Sequence, residues 1–163
     1  AEAVAAQATL RLFDFAGNER QCHDLSCTAP ANGALQLGRY QVSDLAPEAT
    51  QVFALLDLHV KDTHLRNEHV FTTWKSCMLP EAQVHTTVAP LDARRFQVTL
   101  STDAPAFYLS LNAEGVRGEF DDNCITLLPG EEKNLLFTCK GAVPTQAELE
   151  RVLTANHLRA TYS

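Results

Sequence analysis

The chain of 163 residues is long enough for one ordinary domain or two small β-sandwiches, and a composition that is 45% hydrophobic and 20% charged is typical of a packed globular protein. A formal net charge of −7 without clustered Lys and Arg argues against nucleic acid as a partner, because a polyanion is bound through such clusters. The apolar runs near residues 52–58 and 125–128 are far shorter than the roughly 20 residues of a membrane span, so we expect no membrane partner.

The first half of the chain predicts antiparallel strands, since its apolar residues recur with a period of two. Residues 8–15 alternate around Leu10 and Leu12, and Ala16-Gly17-Asn18 then predicts a hairpin turn. Further strands are predicted from residue 19 to about 27, over 34–42 and over 52–60. Residues 62–68 predict a polar loop, and residues 69–79 predict an extended run that ends at Pro80.

The same pattern restarts after Pro80. Six short strands are predicted at the roughly 8–12-residue spacing of a sandwich: 83–89, 95–101, 106–113, 116–120, 125–128 and 133–139. We therefore expect two domains, residues 1–80 and 81–163, each near the size of an immunoglobulin-like sandwich.

Only the tail predicts a helix. Thr145 and Glu148 have the spacing of a capping box, and the apolar residues that follow lie on one helical face: Leu149, Val152, Leu153 and either His157 or Leu158. The predicted fold class is all-β, with two tandem immunoglobulin-like antiparallel β-sandwiches and a short C-terminal helix.

The cysteine count indicates a reducing compartment. The five cysteines are Cys22, Cys27, Cys77, Cys124 and Cys139, and an odd number leaves at least one thiol unpaired. We therefore expect a cytoplasmic location in preference to a periplasmic or secreted one. Each cysteine is expected to be a small buried apolar residue.

Two groups of residues have the chemistry of metal ligands. Cys22, His23 and Cys27 supply three donors where a structural zinc site needs four, and adjacent strand residues point to opposite faces, so a buried Cys beside an exposed His is favoured. The second group, His59, His64 and His69, recurs every five residues, which matches neither a helix face nor a strand face. We expect surface histidines and no metal site.

Acidic pairs are candidates for catalytic carboxyl groups. In glycosidases, for example, the two carboxyl groups lie about 5 to 9.5 Å apart. Asp121 and Asp122 are adjacent and would face opposite ways in a strand, so an Asx-type turn is favoured over a calcium or sugar contact. Glu131 and Glu132 follow Pro129-Gly130 and predict a solvated hairpin tip. No G-x-S-x-G, P-loop or G-x-G-x-x-G motif occurs, so no catalytic residue and no cofactor is predicted.

Large aromatic side chains are candidates for stacking on sugar rings. The candidates for such a platform are Trp74, Tyr40 and Tyr108. A core or interdomain role is favoured for Trp74, because aromatic side chains carry large buried area.

Residues 106–138 contain a Gly-x-Phe-x-Asp-Asn turn, an apolar run, Leu-Pro-Gly-Glu and a closing Phe strand. This pattern resembles the last immunoglobulin-like domain of the β-mannosidases of glycoside hydrolase family two. Residues 12–17, Leu-Phe-Asp-Phe-Ala-Gly, and the run from 67 to 80 are similar to the preceding sandwich of that family. The pattern falls on these residues: Gly118, Phe120, Asp122, Asn123, Leu128, Pro129, Gly130, Glu131 and Phe137.

The resemblance implies a parent enzyme that removes terminal β-linked mannose with a TIM barrel, which supplies the acid/base and nucleophile glutamates. The expected partners are that barrel and the N-terminal sandwich domains, with a possible oligosaccharide contact. Because the first predicted strand begins so near residue 1, we expect the first sandwich to lack one strand and to have an unpaired edge at residues 8–15.

The sequence is therefore consistent with two functions. The first is a non-catalytic bracing role, through buried apolar surface, for the barrel of a β-mannosidase. The second is a carbohydrate-binding β-sandwich module, for which coplanar exposed aromatic rings would be the discriminating feature.

Overall fold

A computed structural model describes residues 3–162 of the chain. The chain divides into two compact units, with the division between Met78 and Leu79; we call the part up to Met78 unit 1 and the part from Leu79 unit 2. The prediction of an all-β chain with tandem immunoglobulin-like antiparallel domains and a short helix near the C-terminus is confirmed. Within residues 3–162, no helix is both long and apolar enough to cross a membrane.

The strands of unit 1 form an antiparallel sheet in the order β2-β1-β3-β4. Strand β1 lies inside this sheet and pairs with both β2 and β3, so the prediction of an unpaired edge at residues 8–15 is wrong. The elements of unit 1 are β1 (Val4–Asp14), β2 (Glu19–Ala29), α1 (Val42–Leu45), β3 (Val52–Val60), β4 (Thr63–Val70) and a 3-10 turn (Trp74–Ser76).

The turn between β1 and β2 forms where the sequence predicts it. The Asp14 carboxylate accepts hydrogen bonds from the backbone N–H groups of Ala16 and Asn18, and Gly17 adopts a φ of 89°. Burial alone would raise the pKa of Asp14, but hydrogen bonds from Asn18 and Arg20 outweigh it and lower the pKa. An ionised Asp14 therefore closes the hairpin.

Two predictions for unit 1 are wrong. Residues 62–68, predicted as a loop, lie within β4 or in the two-residue turn before it, where Lys61 has a φ of 51°. Residues 34–42, predicted as a strand, belong to no strand, and only their last residue enters the short helix α1. Residues 62–68 are rich in polar residues, which is typical of a loop as well as of a solvated strand. Residues 34–42 pair with no strand among the described residues.

The two faces of the sheet in unit 1 differ in polarity, because alternate side chains of a strand point to opposite sides. One side, the apolar face, carries Ala6, Ala8, Leu10, Leu12, Leu25, Leu56, Leu58 and Leu65. On the opposite side, the mixed face, the rings of Phe13 and Phe53 are stacked 5.7 Å apart at one end. Polar residues continue from that aromatic cluster along the mixed face.

Unit 2 contains two antiparallel sheets, of order β5-β6-β10-β8 and β11-β7-β9. All six strands predicted in this half are present. A bulge between Ala106 and Leu109 interrupts β7, and Tyr108 has a φ of 50° within it. The strands are β5 (Val84–Pro90), β6 (Arg95–Thr102), β7 (Ala106–Ala113), β8 (Gly118–Phe120), β9 (Ile125–Leu127), β10 (Lys133–Cys139) and β11 (Leu153–Asn156).

The core of unit 2 is continuous and apolar. Its centre is formed by side chains from both sheets and from the helix, including Val98, Leu100, Leu109, Phe137 and Leu149. None of these five is more than 1% exposed, so the burial of apolar area is the main stabilising contribution to this unit.

The tail begins as predicted and then departs from the prediction. Helix α2 (Gln146–Val152) has Thr145 as N-cap, and the Thr145 and Glu148 side chains each bond to the other residue's backbone N–H. The helix ends at Val152, and β11 then pairs with β7, so the prediction of a helical face reaching His157 or Leu158 is wrong. Residues Leu158–Thr161 form a 3-10 turn.

Candidate functional site

A cluster of charged side chains lies on the mixed face of unit 1, beyond the aromatic rings. It consists of Arg11 from β1, Asp57 from β3, and His64 and Arg66 from β4, and we call it the arginine–aspartate cluster. The register of the sheet brings these residues together, because Asp57 lies directly opposite Arg66. Thr9 also lies opposite Asp57 and donates a hydrogen bond to Asp24 of β2, so polar contacts extend across all four strands.

Asp57 is the centre of the cluster and is only 4% exposed. Its Oδ1 accepts hydrogen bonds from Arg66 Nε at 2.8 Å and pairs with His64 Nε2 at 2.7 Å. Its Oδ2 accepts a hydrogen bond from Arg11 Nη2 at 2.6 Å. A buried carboxylate is stable only when its charge is paired and its lone pairs are bonded, and both conditions hold here.

The same contacts determine the ionisation of Asp57. Burial alone would raise its pKa, but hydrogen bonds from Arg66, Arg11 and His64 outweigh the burial and hold the pKa well below its usual range. Asp57 is therefore an anion at every physiological pH and cannot act as a general acid.

Arg11 bonds to Asp57 through one guanidinium nitrogen, Nη2. Its guanidinium lies over the Phe13 ring at 5.2 Å, and its one hydrogen bond within the described residues is the one to Asp57. A groove of about 650 Å³ lies on the same sheet, and Gln7, Ser26 and His59 contribute polar groups to it. The mixed face thus offers amide, hydroxyl, imidazole and guanidinium groups for hydrogen bonding.

The cluster is not predicted from sequence, because His64 and Arg66 fall within residues 62–68, which are predicted as a loop. The β3–β4 hairpin instead puts His64 directly opposite His59, and their rings are stacked 4.4 Å apart. The available signal was the Lys61-Asp62 pair between two alternating runs, which is a hairpin pattern. His69 lies further along β4, with its ring edge-on to Phe71 at 5.2 Å.

The cysteine candidates are distributed over both units. Cys22 and His23 lie on opposite faces of β2 as predicted, but Cys22 is exposed and His23 is the partly buried one, the reverse of the expectation. Cys77 and Cys139 are buried as predicted, whereas Cys124 is exposed. All five are free thiols, and the cytoplasmic location stays a prediction. Within the described residues, no group of three or more His, Cys, Asp or Glu side chains could hold a metal ion.

The Asp121-Asp122-Asn123 sequence of unit 2 lies in the bent connection between β8 and β9, without the hydrogen bond of the predicted Asx-type turn. The Asp122 carboxylate accepts a hydrogen bond from the Asn123 N–H at 2.8 Å and pairs with Lys133 Nζ at 3.2 Å. Asp121 points elsewhere, and its Oδ1 accepts a hydrogen bond from the Leu136 N–H at 2.8 Å. Both carboxylates therefore hold the backbone of this connection in place.

The Asn123 side-chain amide makes the two hydrogen bonds that a neighbouring strand backbone would make with Leu111. Its Oδ1 accepts a hydrogen bond from the Leu111 N–H at 2.9 Å, and its Nδ2 donates one to the Leu111 carbonyl at 3.2 Å. The backbone pairing of β7 with β9 ends at Leu109 and Ile125, so this side chain continues the pairing by two more hydrogen bonds. An amide carries both a donor and an acceptor in this geometry, which explains an Asn at this position.

The Leu-Pro-Gly-Glu sequence forms a tight turn before β10. Gly130 has a φ of 79°, and the Glu131 N–H donates to the Leu128 carbonyl at 3.1 Å, as in a type II turn with Pro129 in its second position. The Glu131 carboxylate accepts a hydrogen bond from the Leu128 N–H at 3.2 Å. The prediction that Glu131 is a solvated hairpin tip is therefore wrong, because its side chain closes the turn.

Gly118 allows close packing of two aromatic rings in unit 2. A Cβ atom at this position would lie 2.3 Å from Phe137 Cζ and 2.8 Å from the Thr138 carbonyl oxygen. Phe120, directly opposite Phe137 in the ladder, has its ring centroid 4.8 Å from the Phe137 centroid. Gly118 is thus required by space and not by backbone conformation.

Substitution of Gly118 by alanine is expected to destabilise unit 2 by about 1–2 kcal/mol, since the added methyl must displace the Phe137 ring. Hydrogen exchange of the buried β10 amides measures the loss. Gly141→Ala is the control, because its added Cβ would approach Arg117 Cβ only to 3.2 Å. Equal exchange rates in the two variants would contradict the packing argument.

The three aromatic candidates are divided between the two units, with Tyr40 and Trp74 in unit 1 and Tyr108 in unit 2. Tyr40 is 37% exposed and tilts against His23 of β2, with ring centroids 5.1 Å apart. Trp74 begins the 3-10 turn of unit 1 and is partly buried, whereas Tyr108 is exposed in unit 2. The candidate ligand surface of unit 1 is therefore polar, without a flat aromatic platform.

Residues 79–161 match the family Ig_mannosidase, which is described as an Ig-fold domain. The chain belongs to this family. Residues 1–76 match a second family, Mannosidase_ig, described as a Mannosidase Ig/CBM-like domain. The motif residues from Gly118 to Gly130 thus lie in the Ig_mannosidase domain and the arginine–aspartate cluster in the Mannosidase_ig domain. No curated protein matches the sequence significantly.

Two solved structures that match the chain are those of a β-D-mannosidase and an exo-chitosanase. The β-D-mannosidase of Dictyoglomus thermophilum matches 96% of this chain with a TM-score of 0.77 and 22% identity, and the match covers 19% of that enzyme. The exo-chitosanase of Amycolatopsis orientalis matches 96% of this chain with a TM-score of 0.58 and 16% identity, over 23% of its own length. The chain therefore spans about a fifth of each of these enzymes.

Proposed function

We propose that the chain is the non-catalytic C-terminal region of a β-mannosidase, whose parent enzyme hydrolyses terminal non-reducing β-D-mannose residues. The observation that carries the proposal is the pair of mannosidase-type domains in tandem, over residues 1–76 and 79–161. A β-D-mannosidase of the same fold matches nearly the whole chain with 19% of its own length, which supports a parent with further domains.

The carboxyl groups support a non-catalytic role. A glycosidase needs one carboxyl group whose pKa is raised, so that it can protonate the leaving oxygen. Asp14, Asp57, Asp92 and Glu148 have shifted pKa values, and each is shifted downward. These carboxylates accept hydrogen bonds from backbone amides and from arginine, asparagine, histidine and threonine side chains, so they stabilise turns, a cap and the cluster.

The exposed apolar side chains support contact with a larger protein. Isolated apolar residues are common on protein surfaces, and in a larger protein such residues can be buried against other domains. Those of unit 1 are Leu35, Tyr40, Val42, Leu56, Leu65 and Met78, and those of unit 2 are Leu91, Tyr108 and Val143. In this proposal, the two domains brace the TIM barrel of the parent through such surface.

The mixed face of unit 1 favours a second candidate, a carbohydrate-binding module. Sugar hydroxyl groups are recognised by polar side chains that both donate and accept, and the groove beside Gln7, Ser26 and His59 supplies such groups. Arg11 adds two guanidinium nitrogens that are not bonded to other described residues. The description of the Mannosidase_ig family as Ig/CBM-like is in keeping with this alternative.

One set of assays tests both candidates. The complete parent enzyme and the 163-residue chain are each incubated with an aryl β-mannoside and an aryl β-glucosaminide, and the chain is titrated with mannose and manno-oligosaccharides by calorimetry. We expect mannoside turnover by the parent only, and no heat of binding. Turnover by the chain alone would overturn the non-catalytic role, and glucosaminide turnover by the parent would overturn the substrate. Saturable heat that Arg11→Ala abolishes would favour the binding module.

A further inference from the structure

The segment from residue 34 to residue 42 of unit 1 is the least partnered part of the described chain. It runs from the turn after β2 to helix α1, and residues 33–41 contain no helix, strand, turn or bend. No residue of this segment has a positive φ, and Gln41 is extended at φ −79° and ψ 132°. The backbone thus runs without a turn or bend from residue 34 to residue 41, and Val42 already belongs to helix α1.

The main-chain groups of residues 34–40 are unpaired within the described chain, whereas the carbonyls of Gln41 and Val42 accept hydrogen bonds from helix α1 and the residue after it. Among the described residues, no hydrogen bond involves the backbone N–H or carbonyl of any residue from Ala34 to Tyr40. Backbone donors and acceptors are obligatory hydrogen-bonding groups, and an extended run without partners offers a template for an added strand. Water satisfies these groups only while the segment stays exposed.

Two large apolar side chains at the ends of the segment are exposed. Leu35 is 49% exposed, and Val42, the first residue of helix α1, is 54% exposed. Tyr40 lies beside the sheet, with its ring 5.1 Å from that of His23 on the apolar face of β2. The eight residues from 34 to 41 would span about 26 Å as a strand.

The apolar face of the sheet is covered unevenly. Ala8 and Leu12 in β1 are buried, whereas Leu56 of β3 is 37% exposed and Leu65 of β4 is 56% exposed. The segment is anchored at β2, which is the far edge of the sheet from β4. A second layer over the apolar face thus begins at β2 and is incomplete over β3 and β4.

We propose that residues 34–41 form the docking strand of unit 1, to which an extended segment from another part of the parent enzyme adds by strand pairing. The added strand continues the second layer over Leu56 and Leu65 and satisfies the main-chain groups of residues 34–40. This inference rests on the proposed function in that the parent has domains beyond these residues. We assign the added strand to the parent enzyme because about four-fifths of each solved relative lies outside the match with this chain.

Hydrogen exchange of the complete parent enzyme, compared with the 163-residue chain, tests the proposal. In the chain we expect the amides of residues 34–40 to exchange at unprotected rates. In the parent we expect alternate amides to be slowed by roughly 100-fold or more, because successive N–H groups of a strand point to opposite sides. Unprotected exchange in both proteins would overturn the proposal. Protection that appears in the chain and grows with its concentration would overturn the occupant in favour of a second copy.

Two neighbouring proline variants, Leu35→Pro and Gln36→Pro, separate pairing from general disorder. Neither should alter the thermal midpoint of the chain, read by the fluorescence of Trp74, because the chain makes no hydrogen bond through either N–H. In the parent, one of the two should abolish the protection of residues 34–40 and the other should not, since only one N–H faces the added strand. Equal effects in the parent would count against strand pairing.

Failure of this inference is distinguishable from failure of the proposed function. The exchange comparison needs no substrate, so it stays valid if the parent hydrolyses another glycoside. Conversely, a parent that hydrolyses β-mannosides while residues 34–40 stay unprotected would overturn the docking strand alone.

Discussion

Replacement of Asp57 by asparagine is expected to be the most destabilising single change in unit 1, at about 3 kcal/mol. The substitution keeps the shape of the side chain but removes the charge that pairs with Arg11 and Arg66. It also places an NH₂ group against a guanidinium, so that two donors face each other where a carboxylate now accepts. In a unit of this size, the thermal midpoint should fall by roughly 10 °C or more.

Trp74 makes the measurement specific, since it is the single Trp of the chain and belongs to unit 1. Its fluorescence is followed through thermal and urea unfolding. Asp24→Asn is the matched control, because Asp24 is an exposed carboxylate on the same face of the sheet and accepts one hydrogen bond, from Thr9. A midpoint for Asp57→Asn as high as that for Asp24→Asn would show that the cluster contributes little.

The same variant has a predictable pH dependence. The folded pKa of Asp57 lies below its unfolded value of about 3.9, so its stabilising contribution is complete above that pH and is lost as the pH falls toward the folded pKa. The difference in unfolding free energy between wild type and Asp57→Asn should therefore shrink as the pH falls below about 4. A difference that grows below that pH would contradict the assigned ionisation.

Six of the seven described strands of unit 2 could be predicted from sequence because they are bounded by turn residues and most of them alternate between buried and more exposed residues. The Leu-Pro-Gly-Glu turn and the capping box of Thr145 and Glu148 are local, so the sequence alone specifies them. The end of helix α2 could not be predicted in this way. Val152 and Leu153 continue a helical pattern, but pairing with β7 captures the chain from Leu153 onward.

Unit 1 was harder to predict because its structure depends on contacts between distant residues. The alternation of residues 34–42 is real, but a strand needs a neighbour, and the described residues provide none. The arginine–aspartate cluster was missed for a related reason. Arg11 and Asp57 are 46 residues apart, and only the register of β1 with β3 and of β3 with β4 places Arg11, His64 and Arg66 around one carboxylate.

The second large effect is expected from replacing Asn123 by alanine, at about 2 kcal/mol. The loss leaves the N–H and the carbonyl of Leu111 without the partners that the Asn123 amide supplies. Leu111 is only 5% exposed, so water does not readily replace those bonds. The Cys124 N–H also loses its bond to Asn123 Oδ1 at 3.1 Å, at a residue whose φ of 57° already costs free energy.

Two readings of one hydrogen-exchange experiment test this expectation. The amides of Leu111 and Cys124 should exchange faster in Asn123→Ala because they lose their acceptor, and the buried β6 and β10 amides should report the global loss of stability in unit 2. Asn112→Ala is the control, since Asn112 is exposed beside Leu111 and its side chain makes no hydrogen bond with the described residues. If Asn112→Ala and Asn123→Ala destabilise unit 2 equally, the side chain of Asn123 does not extend the β7–β9 ladder. If only Asn123→Ala destabilises unit 2, the Asn that ends the Gly-x-Phe-x-Asp-Asn sequence is required for strand pairing.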